Sequence, residues 1–424
     1  MYSIFKDPKI EAINQLVSVL FEQKTELLVE DSSIIKHLEH LEDLVLTSKD
    51  RFVKTIQSLL KIAVQHEGAD DTLVVEKIDG APALFILNDP RTNTVGVSTK
   101  SIGGKSQKIA HSKKEVAELF ESEGLQVKLN SALLHLGGLD FGHYAFQGDV
   151  LFTKEDIAKQ RIKGKDYLTF TPNVLMYAVA IDANSDLYQK ISTSDFGIVI
   201  HTIYKVHENA GQLELNRTWA PKEILNLIEQ GSKVDGLFIT HPFHPQIKLD
   251  VSEEDIAQVN NMLVELEKIE YKNIDVKTKE YFDRYINAEI KKTGVSLEPR
   301  ELLNKFISFL DEELAKETAK LKTEKGKEGI SAKFDKIKRE VKTPQFINLL
   351  TAYSLALKIK RVFLDVFSHI SSKIGGTFFK QGQEITQTGP EGFVLSVDDG
   401  IVKLVDRNIF SKSNFLFGTF NKKD

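Results

Sequence analysis

The chain has 424 residues, 41% apolar and 28% charged, with a formal net charge of −5 and no cysteine. That length suits two or three domains or one large core with an appendage. The charge excludes a global field that would steer the protein toward nucleic acid, though not a local basic patch, and the missing cysteines exclude disulfides, thiolate metal sites and a cysteine nucleophile.

In chain order, residues 8–66 read as helices. "KIEAINQLVSVLFEQ" sets Ile10, Ile13, Leu16, Val17 and Leu20 at helical spacing, and "FVKTIQSLLKIAV" repeats the pattern. The opening "MYSIFKDPKIEAINQL" lacks the apolar core of a secretory signal. No apolar run approaches the ~18 residues of a membrane helix. The expectation is a cytoplasmic protein that does not span a membrane. From about residue 72 short β-rich runs follow: "TLVVEKI", "PALFILN", "VGVST", "YAFQGDVLFT", "VLMYAVAID" and "FGIVIHTIY", with "NDPRTN" as one of the turns. From about 252 to 374 the texture is helical and charged, with breaks expected at "KTGVSLEPREL" and "EKGKEGI". Leu355, Ile359, Val362, Phe363, Val366, Phe367 and Ile370 form one apolar face of its last helix. β texture then returns. The expected fold class is α+β, a largely antiparallel sheet domain split by a helical insertion. The divisions fall at 1–70 (N-terminal helical segment), 71–251 (sheet domain, first part), 252–374 (insertion) and 375–424 (sheet domain, second part).

The stretch "VVEKIDGAPALF" places Lys77 at the centre of a strand-like segment, with Glu76 before it and Asp79-Gly80 after it. Taken alone, Lys77 reads as a solvated surface lysine rather than as a nucleophile. Two further stretches bear on the choice. "HYAFQGDVLF" carries Asp149 behind Gly148, although Phe146, Asp149 and Tyr177 also read as ordinary sheet residues. "PEGFVLSVDDGIVKLVDR" reads as a hairpin containing Glu391, Lys403 and Arg407. Its turn chemistry favours a three-residue loop, Asp398-Asp399-Gly400. Val397 then pairs with Ile401, and Glu391, Phe393 and Leu395 share a face with Lys403, Val405 and Arg407; a two-residue loop would separate Glu391 from Lys403.

These three stretches, in this order, resemble the motifs of the covalent nucleotidyltransferase superfamily, which includes ATP-dependent polynucleotide ligases and mRNA capping enzymes. The resemblance covers roughly 70–250 and 375–410. It implies that Lys77 attacks the α-phosphorus of ATP to form a lysyl-nucleotide, with Lys403 as a second catalytic cation. It implies nucleotide contacts from Glu76, Asp79, Gly80, Lys100, Asp149, Glu391 and Arg407, and Mg²⁺ held by Asp149 and Glu391. The chemistry agrees: an amine attacks only when neutral, nearby cations favour that form, and Mg²⁺ takes hard oxygen ligands. Asp235-Gly236 and Lys248 in "VDGLFITHPFHPQIKLD" compete for the role of Glu391 and Lys403. His241 and His244 in that stretch lack the further ligands a metal site needs. Twenty-one residues follow Lys403, too few for the OB-fold domain of DNA ligases and capping enzymes. The resemblance therefore implies an RNA ligase-like member, of the kind found in large tailed phages and acting in the host cytoplasm. Its partner would be a polynucleotide with a 5′-phosphate end, RNA before DNA. A protein or small-molecule acceptor and a non-catalytic relative remain alternatives. "KLKTEKGKEGISAKFDKIKREVK" at 320–342 reads either as a phosphate-tracking segment or as a solvated helical face of mixed charge.

Overall fold

A computed structural model describes residues 39–64, 73–218, 220–244, 251–292, 295, 298–370, 372–381, 384–397 and 400–407. The helix expected around Ile10–Leu20, Lys248 and the turn residues Asp398 and Asp399 lie outside the described residues. The fold is α+β, and the chain divides into two compact units. One comprises Leu73–Ile247 and Ile370–Glu391; the other comprises Leu38–Thr72, Lys248–His369 and Gly392–Asp424. The last hairpin thus groups with the helices.

The first unit contains strands β1 (Leu73–Glu76), β2 (Ala83–Asp89), β3 (Thr94–Ser98), β4 (Ile109–Ala110), β5 (Tyr144–Thr153), β6 (Ala158–Ile162), β7 (Lys165–Phe170), β8 (Met176–Ala180), β9 (Phe196–Asn209), β10 (Gln212–Thr218), β11 (Leu237–Thr240), β12 (Phe243–His244), β13 (Gly376–Gln381) and β14 (Glu384–Thr388). Among the described residues, one sheet runs β10-β9-β5-β2-β3-β4, with β11 parallel to β9, and a second runs β14-β13-β8-β7-β6. The other pairings within these two sheets are antiparallel, and outside them β1 pairs antiparallel with β12.

Alternation along β5 divides its neighbours. Phe146 and Val150 join Leu84, Ile86, Ile198 and Ile200 on the face covered by the helices Lys113–Leu119, Glu123–Leu136 and Pro221–Gly231. Ala145, Gln147 and Asp149 fall on the opposite face, where Phe85, Leu87 and Tyr204 form a smaller cluster and Tyr204 Oη donates to Gln147 Oε1 at 2.8 Å. The second face is the one that carries the site.

The second unit is built on helices. Glu253–Lys268 begins with a Ser252–Asp255 capping box, and Pro344–Ser368 begins with a Thr343 cap followed by proline. Leu355, Ile359, Phe363, Val366 and Phe367 are buried along the last helix as their spacing predicts, whereas Ile370 lies beyond its end. "KTGVSLEPREL" does separate two helices, Val276–Lys292 and Pro299–Ala319. "EKGKEGI" does not break the chain: it opens the helix Glu324–Val341, with Thr323 Oγ1 accepting from Gly326 N. Two glycines in a helix cost about 2 kcal/mol in propensity; the cap and the burial of Phe334, Ile337 and Val341 offset that.

Strands β15 (Gly392–Val397) and β16 (Gly400–Val405) form the hairpin of this unit, and Phe393 packs on Phe367 with ring centroids 4.9 Å apart. Its register differs from the expected one. Val397 pairs with Gly400, Leu395 with Val402, Val394 with Lys403 and Phe393 with Leu404. Lys403 is therefore on the face of Val394, away from Phe393 and Leu395. The physical reason is burial. Phe393, Leu395, Val402 and Leu404 are all buried on one face, and the three-residue loop would have placed Lys403 among them.

Candidate active site around Lys77

Lys77 is the first residue after β1, and the loop behind it is anchored by Asp79. The Asp79 carboxylate, 3% exposed, accepts from Val174 N and Leu175 N at 2.7 Å and from Asn173 Nδ2 at 2.8 Å. Asp79 N donates to Tyr177 Oη at 2.6 Å. Burial, with the charges of Asp79 and Glu76, holds the Tyr177 phenol well above its ordinary pKa, so it remains protonated. The aspartate that the motif supplies thus ties the Lys77 loop to the segment entering β8.

The glycine of the motif answers to a close approach. A Cβ on Gly80 would stand 2.6 Å from Asp149 Cβ and 3.1 Å from Val150 O. Ala81 N donates to Val150 O, and Val150 N donates to Pro82 O. Only a residue without a side chain lets the loop run against β5 at Asp149.

The Lys77 ammonium lies in contact with the Glu391 carboxylate; 35% of the Lys77 side chain is open to solvent and 4% of Glu391. Burial draws the Lys77 pKa down, but Glu391, by charge and hydrogen bond, and then Asp79 and Asp149 outweigh it and hold Lys77 above its ordinary value. Burial in turn pushes Glu391 up, with Asp79 and Asp149 adding to it and Lys77 opposing. The resting pair is an ammonium against a carboxylate with a raised affinity for its proton. Gly392, next to Glu391, has φ of +155°, a backbone conformation that favours glycine.

Asp149 is paired with His201, Nε2 to Oδ2 at 3.5 Å. The β5–β9 register passes from Gln147↔Thr202 to Gly148↔Ile200, so His201 is the extra residue of a β-bulge. Alternation from Ile198 and Ile200, which lie on the helix-covered face, sets His201 on the face of Asp149, and the bulge keeps Thr202 on that face as well. His201 was missed at the level of sequence, because nothing in "FGIVIHTIY" marks its pairing with β5.

The remaining candidates lie in other settings. Glu76, 2% exposed, belongs to a separate cluster: its Oε2 takes hydrogen bonds from His244 Nε2 at 3.0 Å and Lys373 N at 3.1 Å, while its buried Oε1 has no hydrogen-bond partner. Lys373 Nζ sits 3.4 Å from His241 Nδ1. Burial lowers Lys373 to about 8, with Glu76 opposing, and lowers His241 to about 3. Lys100 is exposed at the start of a short 3-10 turn. Asp235 is exposed. Lys403 and Arg407 belong to the second unit. There Lys403 N donates to Glu39 O, and Arg407 pairs with Glu42 at 3.5 Å and Asp43 at 3.6 Å.

Lys77, Asp79, Gly80, Asp149 and Glu391 therefore come together within one unit, with His201 added. Among curated proteins and among solved structures, none matches the chain. A family model does match, over residues 35–418, and by it the chain belongs to the family of unknown function DUF6267.

Proposed function

We propose that the first unit is an ATP-dependent nucleotidyltransferase that carries AMP on Lys77 and passes it to the 5′-phosphate end of a polynucleotide, RNA before DNA, for sealing. The observation that carries this reading is the convergence on one amine of three acids from separate stretches: Glu391 in contact with Lys77, and Asp79 and Asp149 close enough to raise its pKa.

In the first step Lys77 Nζ, once its proton has left, attacks the α-phosphorus. A nitrogen–phosphorus bond forms, the bond from the α-phosphorus to the bridging oxygen breaks, and pyrophosphate leaves with the electron pair. The carboxylate in contact with that proton is Glu391, whose burial favours taking it up. In the second step an oxygen of the acceptor 5′-phosphate attacks the same phosphorus and the electron pair of the nitrogen–phosphorus bond returns to Lys77. Attack by a 3′-hydroxyl on the activated end then releases AMP. Asp79 holds the loop of the nucleophile still, and Gly80 keeps it against Asp149.

Among the described residues there is no group of three or more histidines and acids able to hold a metal by themselves. The hard oxygens of Asp149 and Glu391 nevertheless suit Mg²⁺, which takes one or two protein carboxylates and completes its shell with water and substrate phosphates. With the nucleotide bound, that ion would neutralise charge on the phosphates.

The test is incubation with α-labelled ATP and Mg²⁺ followed by a denaturing gel. Label is expected on the wild-type chain and absent from Lys77→Met. Persistent label in that variant, or none on the wild type with any nucleoside triphosphate or NAD, overturns the reading. Label on Lys77 that never moves to a 5′-phosphate RNA would transfer the acceptor role to a protein or small molecule.

A further inference from the structure

The segment 320–342 carries nine lysines and arginines against four acids, a surplus of five positive charges in a chain of net charge −5. Most of it is the helix Glu324–Val341 in the second unit. One face of this helix is spoken for: Phe334, Ile337 and Val341 are buried. Three lysines at its flanks are engaged locally. Lys327 bonds Glu324 at 2.7 Å, Lys333 bonds Tyr281 Oη at 2.6 Å, and Lys338 bonds Asp311 at 2.6 Å.

The crest opposite the buried face is different. At 100° per residue Lys325, Gly329, Ala332, Lys336 and Arg339 fall in one sector, and Lys325, Ala332, Lys336 and Arg339 are exposed. Arg339 Nε donates to Asp335 O at 3.3 Å, which leaves further guanidinium donors. Nothing lies within 4 Å of a Cβ built on Gly329, so the middle of the crest is open down to the main chain. Lys325 and Lys336 stand about 16 Å apart along the axis, with the small residues between them. Glu328 and Asp335 edge the crest on one side; on the other, the Glu340 carboxylate is taken up by Asp275 N and Thr278 Oγ1.

This pattern selects its partner. A basic amphipathic helix that binds a membrane inserts an apolar face; here that face is already consumed by the unit's own core. An exposed row of cations beside small residues fits a flexible polyanion that can run along the helix. We propose that this crest, through Lys325, Lys336 and Arg339, binds the phosphodiester backbone of a polynucleotide. The inference stands on the second unit and does not depend on the chemistry of Lys77.

The experiment is fluorescence anisotropy with an end-labelled single-stranded 30-nucleotide RNA, titrated with the full chain across a NaCl series. A triple variant, Lys325→Glu, Lys336→Glu and Arg339→Glu, is compared with a control carrying Lys113→Glu, Lys114→Glu and Lys222→Glu at exposed helix starts of the first unit. Both triples have the same net charge. The crest triple is expected to raise Kd at least tenfold at low salt. It should lower the slope of log affinity against log salt by about 2, from about 0.7 per lost phosphate contact on a single strand. The control triple should bind as the wild type does. A milder triple, Lys→Gln and Arg→Gln at the same crest positions, guards against misfolding, checked by circular dichroism, and should shift Kd in the same direction. Equal loss in both charge-reversal triples, no loss in the crest triple, no RNA binding by the wild type, or tighter binding to phosphatidylserine vesicles than to RNA would each overturn the proposal.

Discussion

The Lys77 ammonium rests against the Glu391 carboxylate, although the two residues come from the first and last stretches of the same unit. Removing either partner alone leaves a charge with reduced compensation. Lys77→Met is expected to destabilise the chain by about 1–3 kcal/mol, toward the low end because a third of Lys77 remains in water. Adding Glu391→Gln to Lys77→Met should recover much of that loss. Urea unfolding of the two singles and the double reads the coupling directly; additive singles would show that the pair contributes nothing.

Asp79 satisfies three donors at once. Asp79→Ala strands Val174 N and Leu175 N in a buried site, at a cost of about 2–4 kcal/mol. Asp79→Asn retains one acceptor oxygen and should cost less. Thermal melts of both variants check the order, and an inverted order would remove Asp79 from its anchoring role.

Gly80→Ala brings a methyl to 2.6 Å from Asp149 Cβ. The strain should cost about 1–3 kcal/mol and displace Lys77 relative to Asp149. Lysyl-nucleotide formation is expected to fall at least tenfold while the far-ultraviolet circular dichroism stays unchanged. A variant with wild-type labelling would show that the loop tolerates a wider gap.

In the second unit, burial pushes Asp43 up to about 7, with Glu42's charge adding to it and Arg407 opposing. Asp43 ionises near 3.9 in an unfolded chain. Between about pH 4 and 7 the folded state therefore keeps a proton that the unfolded state has released, and this residue's contribution to stability declines as pH rises. Asp43→Asn stays neutral at every pH. The stability of the variant relative to wild type should rise from pH 4 to 7 and then level off, read from denaturant midpoints at pH 5, 6 and 8. Parallel curves would contradict the assignment.

Lys373, lowered to about 8 by burial with Glu76 opposing, is expected to acetylate faster than an exposed lysine such as Lys114 when trace-labelled at pH 7.5. Glu76→Gln removes the opposing charge, so its amine should become more reactive still. Peptide mass spectrometry gives both rates, and a Lys373 slower than Lys114 would refute the prediction.

The parts of the site legible in the sequence were those whose chemistry is local. "YAFQGDVLFT" is β5 from end to end, and Asp79, Asp149 and Glu391 were each marked by a glycine neighbour. Register was not local. The Asp398-Asp399-Gly400 sequence argued for a longer turn, but four buried apolar residues on one face decided the pairing of β15 with β16. Composition also misled at "EKGKEGI", where two glycines suggested a break and a threonine cap with a buried face made a helix. His201 depended on the pairing of β5 with β9, strands far apart in sequence, which no window on one strand contains. Glu76, adjacent to Lys77, turned out to serve His244 and Lys373 instead.

The separation of Lys77 from Glu391 along the chain has a consequence for biosynthesis. A ribosome delivers Lys77 long before Glu391, so the pair can close only after the whole stretch between them has been made. A nascent or prematurely released chain carries the amine with its principal counter-charge missing. Whatever reactivity depends on the pair is thereby withheld until Glu391 has been made.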